Sequence, residues 1–187
     1  MKTRCIKFVL TAALTAAIAP IFAQVTAIDP ALLAKAKSGD AISQVQVGEC
    51  YASGKGVTRD LKQAAEWYRK AADKGDIGGE VHLAVLYRDG GKDFPRDMVQ
   101  AAEWYRKAAE QGDVPAQGTL GVLYSIGQGV PQSDAEAYFW LDLAASVKGP
   151  NQEKYAANRQ MVGTHLTVDE LTEVEERVAK WLAAHPR

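Results

Sequence analysis

The side chains best suited to chemistry in this chain of 187 residues are His82, His165, His185 and Cys50, and their spacing does not combine them. None of the histidines has a second ligand one helical turn away or a cluster of cysteines and carboxylates around it, as a zinc site would require. Gly54-Lys55-Gly56 lacks the spacing and the Lys-Ser or Lys-Thr pair of a phosphate loop, and Asp89 to Asp93 is too short for a calcium loop. The chain contains no Gly-x-Ser-x-Gly elbow, and no serine is paired by pattern with a histidine. Cys50 stands just before Tyr51, in the position that Leu86 fills before Tyr87 and Leu123 before Tyr124. It therefore reads as a small buried hydrophobe, with a reactive thiol or an intermolecular disulfide as the alternative. The expectation is a protein without catalytic residues, metal or cofactor, hence not an enzyme.

The elements carrying these residues repeat. Ala64-Ala65-Glu66-Trp67-Tyr68-Arg69-Lys70-Ala71-Ala72 returns as Ala101-Ala102-Glu103-Trp104-Tyr105-Arg106-Lys107-Ala108-Ala109, and more loosely as Ala137-Tyr138-Phe139-Trp140-Leu141-Asp142-Leu143-Ala144-Ala145. Each copy runs on to a glycine, and Gly39, Gly75, Gly112 and Gly149 stand 36 or 37 residues apart, the period of stacked helix-turn-helix arrays. In each unit a first helix, opened by Asp40, Asp76 or Asp113, carries the apolar sets Val47-Gly48-Tyr51, Leu83-Ala84-Tyr87 and Leu120-Gly121-Tyr124. Its small residue lets the partner helix approach. A glycine-rich turn follows (Gly54 to Val57, Gly90 to Phe94, Gly127 to Val130), and then a second helix capped by Asp60, Asp97 or Ser133. One tryptophan per unit (Trp67, Trp104, Trp140) at the same position reads as core packing. Glu66 and Lys70, like Glu103 and Lys107, stand four apart, which predicts ion pairs on a solvated face.

Both ends depart from the repeat. Lys2, Arg4 and Lys7 precede the apolar run Phe8 to Ala19, and Ile21-Phe22-Ala23 supplies a small residue at the cut, so residues 1–23 read as a secretory signal peptide, with a cut after Ala27 as the alternative. Its removal takes three of the 22 basic residues and none of the 23 acidic ones, leaving a formal charge of −4. That balance, with Lys and Arg interleaved among Glu and Asp, excludes a nucleic-acid partner. No later segment is apolar for long enough to span a bilayer, which predicts a periplasmic or secreted protein. Residues 24–38 hold only the tail of a second helix. At the other end, Asn151 to Val162 reads as one helix, and Thr167 with Glu170 forms a capping box, stapled by Leu166 and Leu171, for a last helix striped by Leu171, Val174, Val178 and Trp181.

This pattern resembles the Sel1-like repeats, relatives of the tetratricopeptide repeats, over about Gly39 to Pro150. The resemblance implies an all-α fold: a right-handed α/α solenoid of about three repeats (39–74, 75–111 and 112–150) with capping helices over 151–187. It implies a non-catalytic scaffold or adaptor that binds a protein or peptide in the cell envelope. The alternatives it carries are a structural subunit of an envelope assembly and a hydrolase of β-lactams or cell-wall fragments, as in cysteine-rich relatives whose cysteine pairs this chain lacks. By analogy with tetratricopeptide arrays, the inner face would comprise Ile42, Val45, Glu49 and Ala52 from the first unit, Gly78, Val81, Val85 and Arg88 from the second, and Pro115, Gly118, Val122 and Ser125 from the third. Either this face receives a partner helix or extended peptide, or the chain's own last helix covers part of it.

Overall fold

A computed structural model of the chain describes residues 27–186, so the expected signal peptide lies outside the described residues. Among them are nine helices: α1 (Pro30–Ser38), α2 (Ala41–Ser53), α3 (Leu61–Ala72), α4 (Ile77–Asp89), α5 (Met98–Glu110), α6 (Val114–Ile126), α7 (Asp134–Ala145), α8 (Gln152–Gly163) and α9 (Val168–Ala184). The pairs α2/α3, α4/α5 and α6/α7 are the three repeat units. Each helix packs on the next from α1 through α8, making two layers, first helices in one and second helices in the other.

Local chemistry sets the boundaries. The side chains of Asp40, Asp76 and Asp113 each accept a bond from a backbone N–H three residues on, as do Asp60, Asp97 and Ser133 at the second helices. One aliphatic position per first helix closes each unit: Val47, Leu83 and Leu120 are fully buried, and Trp67, Trp104 and Trp140 are buried as expected. A side chain at Gly48 would strike the Tyr68 ring and one at Gly121 would strike Leu141, which explains the small residue in the first helix. The ion pairs expected on the second helices are replaced by other contacts. Lys70 Nζ lies 4.2 Å from the centre of the Trp67 ring and Lys107 Nζ 3.7 Å from that of Trp104. Glu66 and Glu103 instead accept bonds from Gln63 and Gln100. A ring face about one turn away, partly shielded from water, competes better for an ammonium than a fully hydrated carboxylate does.

The units are joined by a recurring bond. Arg69 on α3 donates to the Tyr87 hydroxyl on α4 at 2.6 Å, and Arg106 on α5 donates to Tyr124 on α6 at 2.6 Å. At the third junction the roles reverse, with Asp142 on α7 accepting from Arg159 on α8. Helix α8 occupies the place of a fourth first helix. Helix α9 packs on α7, in the second-helix layer, where Arg177 pairs with Glu136 at 2.7 Å and Trp181 reaches Gly112. Of the two alternatives for the inner face, cover by the chain's own last helix is therefore not the one adopted: the apolar stripe of α9, with Val174 and Val178 buried, is spent on the outer layer.

Candidate functional site

The first-helix face is built by helical phase. Val47 and Gly48 turn inward, which leaves Ile42, Val45, Glu49 and Ala52 on the opposite and flanking faces of α2. Ile42 is 65% exposed, while Val45, Val81, Val85 and Val122 are half-buried, each with part of its side chain on the core and part open. Ala52 and Val85 line a groove of about 220 Å³ between α2 and α4, together with Tyr68, His82 and Asp89. Glu49 and Ala52 also line a groove of about 610 Å³ at the N-terminal end of the row. Val122 and Ser125 belong to a separate groove of about 300 Å³ against α8, rimmed by exposed Ile126 and Met161. The expected face thus divides into two halves.

Two of the expected positions are put to other uses, and Cys50 departs from its expected burial. Gly118 is buried because Tyr155 of α8 lies on it; a Cβ there would stand 2.1 Å from the ring. Arg88 is tied down: its guanidinium donates to Asp89 at 2.7 Å and to the Tyr105 hydroxyl at 3.0 Å, and the bond to Asp89 pushes the pKa of Arg88 up and that of Asp89 down. Cys50, expected in the core, is half-buried and lines the 610 Å³ groove, because α1 supplies no first helix to close over it.

His82 is the residue that sequence reasoning missed. Its Nε2 lies 3.2 Å from a Glu49 carboxylate oxygen, and its ring stacks on Tyr68 at 5.0 Å between centres. Burial, with the Glu49 carboxylate nearby, raises the Tyr68 hydroxyl far above its ordinary value, so it stays protonated. These contacts brace α2, α3 and α4 together and present a carboxylate–imidazole pair at the groove wall. The signal lay in the array itself: His82 follows Glu49 by one repeat less about one helical turn, which places the two on facing sides of adjacent first helices. A comparable pair, His165 and Asp134 at 3.3 Å, lines the groove against α8. Among the described residues no three His, Cys, Asp or Glu side chains come together as a metal cluster would.

The Sel1 repeat pattern matches residues 41–76, 79–113 and 114–146. No curated protein matches the chain. Among solved structures, a Sel1 repeat protein from Oxalobacter formigenes is 30% identical over 66% of this chain and 92% of its own, with a TM-score of 0.59. Helicobacter pylori cysteine rich protein B is 19% identical over 66% of this chain and 93% of its own, with a TM-score of 0.51, a likeness of fold. Three matched repeats, the paired helices that carry them and a solved relative of the same kind agree: the chain belongs to the Sel1 repeat family, whose members are generally protein-interaction scaffolds.

Proposed function

We propose that this chain is a non-catalytic scaffold, exported to the cell envelope, that holds a segment of a protein or peptide along its first-helix face. The observation that carries the reading is the placement of α9. It spends its apolar stripe on α7, in the other layer, while Val45, Val85, Val122 and exposed Ile42 line or flank grooves on the first-helix side. Half-exposed aliphatic side chains between adjacent helices suit the apolar anchors of a helix or extended peptide. Export rests on the charged and apolar pattern of residues 1–23.

The test is affinity capture from envelope extract with wild-type protein and Val85→Asp, with circular dichroism to establish that both are folded. Val85 is half-buried at the groove wall, so a carboxylate there repels an apolar anchor without being forced into the core. The expected result is a partner retained by wild type and lost by the variant. Retention of the same set by both would refute the role of this face, and an empty wild-type capture would refute an envelope partner.

A further inference from the structure

The 610 Å³ groove is the 220 Å³ one with a wall missing. Leu32, Gln46, Glu49, Cys50 and Ser53 line the 610 Å³ groove. Each stands 36 residues before a residue of the 220 Å³ groove between α2 and α4: Tyr68, His82, Val85, Leu86 and Asp89 respectively. The repeat therefore carries one surface onto the other. In the second unit that surface is closed by the preceding first helix, α2, which contributes Ala52. In the first unit the preceding helix pair is represented among the described residues by α1 alone, a second helix, and no first helix among them lies beside α2. Ile42, the counterpart of Gly78 on the α2–α4 contact, is correspondingly 65% exposed.

We propose that this groove is a docking slot for one amphipathic helix of another protein, seated parallel to α2 as an added first helix of the array. The slot continues an interface the protein already makes, so the α2–α4 contact describes the occupant. There α2 presents Val45, which faces Gly78, then Glu49, which pairs with His82, then Ala52 at the groove wall. The occupant correspondingly carries a short aliphatic residue, a hydrogen-bonding side chain four positions on facing Gln46, and a small residue three further on over Cys50. Parallel to α2, its C-terminus ends on the turn side, beside Lys55, where an ammonium complements the negative end of the helix dipole. The slot shares Ala52 and Tyr68 with the groove of Val85 but does not include Val85 itself, so its failure leaves the first-helix reading to its own test.

Cys50 reports occupancy directly. The full chain would be treated with iodoacetamide, and modification of Cys50 followed by peptide mass spectrometry, with and without a helix-stabilised synthetic peptide of residues 40–54 carrying Cys50→Ser. The expected result is saturable protection, with alkylation at least tenfold slower, and loss of that protection in Gln46→Glu. Gln46 is exposed, so the variant folds, and its carboxylate repels the acceptor of the probe. Absence of protection, or protection unchanged in Gln46→Glu, would overturn the proposal. So would a Cys50 already shielded in the free chain: shielding that rises with protein concentration puts a second copy in the slot, and shielding lost on removing residues 1–23 puts the chain's own N-terminal segment there.

Discussion

Replacing Glu80 by glutamine should stabilise the protein, and the three repeats themselves supply the reason. Gln44, Glu80 and Gln117 occupy one position in the three first helices, at 4%, 3% and 0% exposure. Gln44 donates through Nε2 to the Ala36 carbonyl and Gln117 to the Ala109 carbonyl, each at 3.0 Å. Those carbonyls also accept from Gly39 and Gly112, and the matching Ala72 carbonyl accepts from Gly75 at 2.8 Å. Glu80 as a carboxylate has no proton for Ala72. It accepts from Gln111 at 2.7 Å instead, and burial raises its pKa, against the lowering effect of Lys107 and the Gln111 bond. Glu80→Gln adds the missing donor and relieves a buried charge, while its amide oxygen can still take the Gln111 bond. One hydrogen bond of this kind is worth about 1 kcal/mol, which in a domain of this size moves Tm by roughly 2–4 °C. The pH dependence carries the sign. A folded pKa raised above the unfolded value means that the native state holds the proton more tightly. The contribution of Glu80 is therefore fully present below the unfolded carboxyl's pKa of about 4.3 and is lost as pH rises through the folded value. The advantage of the variant in thermal unfolding should therefore be largest near neutrality and shrink toward pH 4. A variant no more stable than wild type at pH 7.5, or one whose gain is the same at pH 4.5 as at pH 7.5, would refute the reasoning.

Gly129→Ala should destabilise by about 2 kcal/mol or more in urea unfolding, because Gly129 has φ +76° and a Cβ there would stand 2.0 Å from the Met98 carbonyl oxygen, a rigid backbone neighbour. Tyr87→Phe and Tyr124→Phe should each cost about 1 kcal/mol, since each removes one charged hydrogen bond between units, and an unchanged midpoint for both would show that the Arg–Tyr junctions contribute nothing.

The repeat period, the six capped helices of the units and the tryptophan core were legible because each depends on local chemistry repeated at a fixed interval. Asp40, Asp60 and Gly75 state a boundary wherever they occur together, and the tryptophan position is constrained identically in each unit. The candidate face was less legible. Whether Arg88 is free or held by Asp89 and Tyr105, and whether Gly118 lies open or under Tyr155, depends on contacts across helices that share no short-range pattern. The placement of α9 was hidden for the same reason. An apolar stripe says that a helix packs, and the partner is chosen by Glu136 and Gly112, which it meets only in the folded array.

The reversed polarity at the third junction bears on how such a chain finds its register. The segments 64–72 and 101–109 are identical, and Arg69 and Arg106 meet identical tyrosines, so by this bond alone α3 would pair with α6 as readily as with α4. Near-identical units invite this kind of slipped pairing, in which a whole unit is looped out or exchanged with another molecule. Asp142 and Arg159 remove it at the junction of α7 with α8. Moved onto α5 or α3, Arg159 would confront another arginine; moved onto Tyr87 or Tyr124, Asp142 would gain a neutral phenol in place of a cation. The last junction therefore accepts only its own partner, and a chain whose units are locally interchangeable carries at one end a charge pair that sets which two helices form that junction.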